Sequence, residues 1–114
     1  MQENYSVTTL DDHWHLAVSV DKVQQDEPVA VTLGVHKIAL YSIDGKLFAT
    51  DAICTHAHAC LAEGYQEGDI IECPLHEGRF HIPTGKALGP PVSENLKTFP
   101  IKVVSGQVYV EVIG

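Results

Sequence analysis

The stretch from about residue 52 to about residue 92 constrains this 114-residue chain more than any other part of it. It holds five glycines (Gly64, Gly68, Gly78, Gly85, Gly89) and four prolines (Pro74, Pro83, Pro90, Pro91), and it lacks both the strand and the helix period. An irregular segment of that length is uncommon inside a compact domain unless something orders it. A bound metal centre would do so, and candidate ligands are present. Cys54-Thr55-His56 opens the stretch, and Cys73-Pro74-Leu75-His76 follows after a gap of 16 residues.

On both sides of this insert the pattern is that of short strands. Residues 13–20 and 29–33 read as strands separated by the polar run 21–28. After a turn at Gly34 comes 37–43, with Ile38, Leu40 and Ser42 on one face and Ala39, Tyr41 and Ile43 on the other. Asp44-Gly45 predicts a two-residue hairpin, because a type I′ turn needs positive φ. The return strand is 46–50. Residues 97–104 and 107–113 flank Ser105-Gly106, which predicts a second hairpin, and Val108, Val110 and Val112 alternate with Tyr109 and Glu111. No window sustains a helical period. The expected fold is all-β, a sandwich or small barrel carrying the insert at 52–92, with residues 1–114 forming one domain.

Bulk properties narrow the partners. Fifteen acidic residues stand against seven Lys and Arg, a formal charge of −8. Nucleic acid and anionic membrane both require clustered basic residues and are not expected as partners. An acidic surface is suited to a partner with a basic patch, through association rate, and also simply to solubility. No run approaches the roughly 20 apolar residues that span a bilayer. The opening Met1-Gln2-Glu3-Asn4 has no basic stretch followed by an apolar one, which sets the expectation of a cytoplasmic protein. Three cysteines, Cys54, Cys60 and Cys73, are too few and odd in number for a secreted disulfide framework. In a reducing compartment cysteine beside histidine points to a metal.

Thiolate is a soft ligand for iron–sulfur iron or zinc, and neutral imidazole serves iron, zinc and copper. Zinc fingers commonly pair Cys with Cys and His with His along the chain. Here each short loop offers one of each, so two matching loops can face each other across one centre. A Rieske-type [2Fe-2S] cluster needs that symmetry, with two cysteines on one iron and two histidines on the other. The expected ligands are Cys54, His56, Cys73 and His76; a zinc site with two sulfur and two nitrogen ligands is the alternative.

The chain resembles the Rieske-type [2Fe-2S] ferredoxins of bacterial aromatic-ring-hydroxylating dioxygenase systems. The likeness runs through Ile43-Asp44-Gly45, Ala49-Thr50-Asp51, Ile53-Cys54-Thr55-His56 and the segment from Asp69 to His76. It continues through Gly78-Arg79-Phe80 and Thr84-Gly85-Lys86-Ala87-Leu88 to the closing hairpin. The resemblance implies a β-sandwich base and a small subdomain of two cluster-binding loops with the histidines at its tip. It implies one Rieske cluster and a non-catalytic carrier. Electrons would arrive from an NAD(P)H-dependent flavoprotein reductase and leave to the Rieske centre of a terminal oxygenase. A monomer is expected. The same fold also occurs as a small subunit of assimilatory nitrite reductases, which commonly lack the ligands.

Respiratory Rieske proteins carry a membrane anchor and a disulfide bridging the cluster loops. Here Pro74 and Leu75 precede His76, and Cys60 has no partner for such a bridge. Respiratory forms also place Ser and Tyr hydroxyls after the second loop, where this chain has Gly78-Arg79-Phe80. Fewer hydrogen bonds to sulfur predict a low reduction potential. Cys60 is expected to be a plain small residue of core or loop, His58 to face solvent or hydrogen-bond near the first loop, and His81 to be an exposed residue by default or else to help shape the second. His13, His15 and His36 are expected in structural or surface roles. Pro90-Pro91 is expected to cover the cluster's flank or simply to turn the chain. Acids crowd the insert, and Glu63, Glu67 and Glu77 are candidates for guiding a basic partner.

Overall fold

The computed structural model describes residues 13–55, 59–75 and 77–113. Ten strands are found among them: β1 (Trp14–Ser19), β2 (Val29–Leu33), β3 (His36–Ile43), β4 (Lys46–Asp51), β5 (Tyr65–Glu67), β6 (Ile70–Glu72), β7 (Arg79–His81), β8 (Thr98–Phe99), β9 (Ile101–Val104) and β10 (Gln107–Glu111). The only helical pieces among the described residues are two single 3₁₀ turns, Val20–Lys22 and Leu61–Glu63. Among the described residues no helix is long and apolar enough to cross a membrane.

Strand β3 explains the layering. Ile38, Ala39, Leu40 and Tyr41 are all fully buried, so both faces of this strand are covered. Ile38 and Leu40 pack with Val23, Leu33, Ala49, Phe99, Val108, Val110 and Val112. Ala39 and Tyr41 belong to a different core, with Leu61, Ile71, Phe80, Ile82, Val92 and both Cys54 and Cys73. The alternation read from the sequence therefore sends one set of β3 side chains into the base and the other toward the cysteines.

The base is built from two antiparallel sheets, one ordered β2-β3-β4-β8 and one ordered β1-β10-β9. Both predicted hairpins are present. Ile43 pairs with Lys46 around Asp44 (φ 52°) and Gly45 (φ 84°), and Val104 pairs with Gln107 around Ser105 (φ 51°) and Gly106 (φ 76°). Positive φ at both central positions is the type I′ geometry. Val108, Val110 and Val112 are buried as their spacing implied.

Two expectations are corrected. Residues 97–104 are not one strand. Pro100 interrupts them, so that Phe99 pairs with Ala49 in one sheet while Ile101 pairs with Val110 in the other. Proline offers no N–H to a ladder, and its carbonyl here accepts from the amide of Glu111 at 3.0 Å. The insert, for its part, is not irregular throughout, since β5, β6 and β7 form a three-stranded antiparallel sheet. Gln66, Ile71 and Phe80 point into the core, while Tyr65, Glu67 and Arg79 are exposed. Alternation is present, but each strand is only three residues long.

Candidate metal centre

Cys54 and Cys73 lie on two loops built to the same plan. The amide of Cys54 donates to the carbonyl of Ala59 at 3.0 Å, and the amide of Cys73 donates to the carbonyl of Gly78 at 2.6 Å. In each case the partner lies five residues further on, so each cysteine stands at the mouth of a tight excursion of the chain. The first loop is closed at its base by the amide of Leu61 on the carbonyl of Ala52, at 2.7 Å, and by an antiparallel bridge between Ile53 and Cys60. The second descends from β6 and returns into β7, whose ladder runs Glu72 to Arg79, Ile71 to Phe80 and Ile70 to His81.

Two glycines make the close approach feasible. A Cβ on Gly64 would collide with the carbonyl oxygen of Glu72, the residue before Cys73. A Cβ on Gly78 would stand 2.6 Å from Cγ1 of Val92, which is buried against the second loop.

Both thiols are free and nearly inaccessible, at 4% exposure for Cys54 and 1% for Cys73. Burial pushes the Cys73 thiol above the ordinary range; a hydrogen bond to its sulfur from the backbone N–H of Leu75 acts the other way, and the neighbouring Cys54 thiol adds to the rise. Two adjacent buried sulfurs of this kind disfavour a pair of thiolates unless a cation lies between them. The donor set thus fits a soft metal centre.

The two other expected ligands, His56 and His76, lie outside the described residues, as does His58. In the sequence they lie between Cys54 and Ala59 and between Cys73 and Gly78. Among the described residues no group of three or more His, Cys, Asp or Glu could hold a metal ion.

The neighbourhood contains features that sequence reading alone missed. The Thr55 hydroxyl donates to the carbonyl of Glu94 at 2.8 Å and ties the first loop to the segment after Pro91. That contact spans 39 positions and leaves no local signal. His81, expected to shape the second loop, is held on both sides: Nε2 lies 3.0 Å from Asp69 Oδ2 and Nδ1 lies 2.8 Å from Thr84 Oγ1. Cys60 is half-buried at the edge of the core that holds Cys54 and Cys73, as expected of a small loop residue. Pro90-Pro91, joined by a cis bond, lines a hollow with Glu77, Arg79 and Leu88 beside the second loop.

A two-sheet base bearing a small third sheet and two matched cysteine loops defines an iron–sulfur protein of the Rieske kind. Comparison with known proteins agrees, since residues 13–100 match the family model of the Rieske [2Fe-2S] domain. The ferredoxin component of the naphthalene 1,2-dioxygenase system of Pseudomonas putida is 43% identical over 98 residues, covering 86% of this chain and 94% of that one. The Sphingomonas yanoikuyae B1 ferredoxin superposes with a TM-score of 0.84 at 41% identity, covering 87% of this chain and 98% of its own. A chain from the complex of reduced oxygenase and oxidized ferredoxin in carbazole 1,9a-dioxygenase gives a TM-score of 0.82 at 33% identity, covering 89% and 94%. This chain therefore belongs to the Rieske [2Fe-2S] family, and more narrowly to its dioxygenase-system ferredoxins, which carry one such cluster.

Proposed function

We propose that this chain is the electron-carrying ferredoxin of a multicomponent aromatic-ring-hydroxylating oxygenase, accepting electrons from an NAD(P)H-dependent flavoprotein reductase and delivering them to the Rieske centre of the terminal oxygenase. The observation that carries this reading is the pair of matched loops that bring two free, buried cysteine thiols together. Membership among carriers named as ferredoxin components supports it, as does a relative solved with its oxygenase.

Cys54 and Cys73 would hold one iron, and His56 and His76 the other. When bound, the cluster supplies one-electron chemistry. The chain's own part is to fix the thiolates, shield them and present a face to partners. Cys54 and Cys73 are fixed by their amide hydrogen bonds, and the amide of Leu75 donates to sulfur. Leu61, Ile71, Phe80 and Val92 close the core behind them and keep water from the sulfurs. Ile53 and Leu75, at 38% and 48% exposure, place apolar side chains beside the cysteines where a short-lived contact with a partner would form. The chain has no substrate chemistry of its own in this reading. It acts in the cytoplasm as a monomer and as one domain, with residues 52–92 as the cluster-binding subdomain.

The test is EPR of the anaerobically purified, dithionite-reduced protein, preceded by its visible spectrum. The expected result is a brown protein whose reduced signal has a lower average g than all-cysteine [2Fe-2S] clusters. Replacing His56 or His76 by Ser would abolish that signal. A colourless, EPR-silent protein with stoichiometric zinc would overturn the reading.

A further inference from the structure

The β2–β3 hairpin ends in a residue that its turn does not call for. Leu33 pairs with His36 around Gly34, whose φ is 65°, and Val35, whose φ is not positive. Glycine at the first central position with an ordinary residue after it is the type II′ turn. The second position commonly holds Gly, Asn, Asp or Ser. Here it holds valine, and Val35 is 94% exposed, more than any other large hydrophobic among the described residues. Neither turn chemistry nor the core accounts for an apolar side chain there.

Register places this tip beside the cysteine loops. Ile38 pairs with Asp51, and the carbonyl of Lys37 accepts from the amide of Ala52 at 2.9 Å. Going back along β3 toward Val35 therefore runs alongside the chain as it leaves β4 for the Cys54 loop. Lys37 shares its face of β3 with Ala39 and Tyr41, which belong to the core of Cys54 and Cys73. Between the hairpin and both loops lies a hollow of about 430 Å³. Ile53 and Cys60 line it from the first loop, Pro74 and Leu75 from the second. Lys37 and Glu63 border it with one charge of each sign, so it carries no net charge on a chain whose total is −8. That local balance suits an apolar occupant, while the total charge opposes a second copy of the chain. Scattered exposed hydrophobics are ordinary, but Val35, Ile53 and Leu75 come from three separate segments to one concave place.

We propose that this hollow receives a large apolar side chain of the terminal oxygenase and that Val35 forms its outer wall. The inference rests on the electron-carrier reading and deepens it, because the base hairpin joins the ligand loops in binding the electron acceptor. The hollow is continuous with the cysteine loops from which the electron leaves, and a relative has been solved with its oxygenase. A partner held by the two loops alone can swivel about them. A third contact at Val35 fixes its rotation and so the path between the two centres.

The probe is a terminal oxygenase that takes electrons from the cluster-loaded protein, beginning with that of the Pseudomonas putida naphthalene 1,2-dioxygenase system. Affinity is read by calorimetry. Val35→Asn, which suits the second position of a type II′ turn, is expected to weaken binding about fivefold with the visible spectrum unchanged. Val35→Ser gives a second variant should asparagine unsettle the hairpin. Cys60 supplies an independent reporter, since it lines the hollow, is half-buried and is not among the expected ligands. Saturating oxygenase is expected to slow its alkylation by N-ethylmaleimide about tenfold, and the reductase to slow it less than twofold. Wild-type affinity in both Val35 variants, alkylation unchanged by the oxygenase, or equal protection by the reductase would each overturn the proposal. A loaded protein that shows the Rieske signal and reduces the oxygenase, with Cys60 still open, would sink this inference alone and leave the carrier reading standing.

Discussion

The hydroxyl of Thr55, next to Cys54, donates to the carbonyl of Glu94 at 2.8 Å and is thereby directed to the backbone. Position 78–80, after the second loop, offers a glycine packed on Val92, an arginine paired with Glu72 and a fully buried phenylalanine. Hydroxyl donors to sulfur raise the potential of iron–sulfur centres by stabilising the electron-rich reduced form. With Thr55 engaged and no hydroxyl at 78–80, the midpoint is expected near the low end of the Rieske range, on the order of −150 mV. Thr55→Val should leave that midpoint in place and cost about 1 kcal/mol of stability from the lost tie to Glu94. A redox titration giving about +250 mV, at the other end of that range, would contradict this.

Gly78 and Val92 form a compensating pair. Gly78 has no positive φ to protect, so alanine is excluded there only by the 2.6 Å approach to Val92 Cγ1. Gly78→Ala alone is expected to destabilise by about 1–3 kcal/mol through overpacking. It should also lower cluster occupancy, because the carbonyl of Gly78 holds the Cys73 amide. Val92→Ala removes the obstructing methyl at the expense of a small cavity. The double variant should recover part of the loss, a coupling readable by chemical denaturation and iron content. Additive losses would mean that the glycine is needed for another reason.

How far the sequence could be read differs from element to element. The Asp44-Gly45 and Ser105-Gly106 hairpins were legible because their turn chemistry is local and has few alternatives. The cysteine loops were legible because their residue types and spacing have few uses other than metal binding. Pro100 also carried a local signal: proline inside an apparent strand argues for a break, and the strand-forming residues on both sides of it, Thr98, Phe99, Ile101, Val103 and Val104, masked it. The sheet β5-β6-β7 was not legible, since three residues give a period-2 pattern too little length to stand out from the surrounding glycines. Its stability comes from burying Ile71 and Phe80 against Tyr41 and Ile82, a contact that no local window contains. The Thr55 to Glu94 tie and the unpartnered oxygen of Gln66 depend on which distant backbone arrives beside them.

Tyr41 gives a pH dependence with a definite sign. Its ring is fully buried, its hydroxyl lies 2.8 Å from Thr50 Oγ1, and that hydroxyl donates on to the carbonyl of Asp51. Tyr41 is thus the donor to Thr50. Burial raises the phenol well above its ordinary value; the Thr50 contact opposes this, and nearby Cys60 and Asp51 reinforce it. The folded state therefore holds the phenolic proton more tightly than the unfolded chain does. The resulting stability is fully present below about pH 10 and is lost as pH rises from the unfolded pKa toward the folded one. Over that interval unfolding should become easier by about 1.4 kcal/mol per pH unit from this group. Tyr41→Phe should lose about 1 kcal/mol at neutral pH and remove this part of the alkaline decline. Identical alkaline profiles for the two proteins would rule the phenol out as its source.

Glu63 and Glu77 stand on either side of the cysteine loops and are both exposed. Glu63 borders a hollow with Ile53, Pro74 and Leu75, and Glu77 borders the one lined by Pro90 and Pro91. With a formal charge of −8 on the chain, these two carboxylates lie where a basic partner approaching the cysteines would meet them. Exposed charges act mainly on the rate of encounter and are screened once the Debye length falls from about 10 Å at 0.1 M salt to about 3 Å at 1 M. Glu63→Lys with Glu77→Lys is therefore expected to slow second-order electron transfer with the reductase or the oxygenase by about tenfold at low salt. The difference should vanish at high salt, with the midpoint potential unchanged. Glu77 has φ 58°, which costs a lysine there no more than a glutamate, so folding is not the variable being tested. Stopped-flow reduction across a salt series is the measurement. Rates that match the wild type at low salt would show that these carboxylates only solvate the tip, leaving its apolar residues to make the contact.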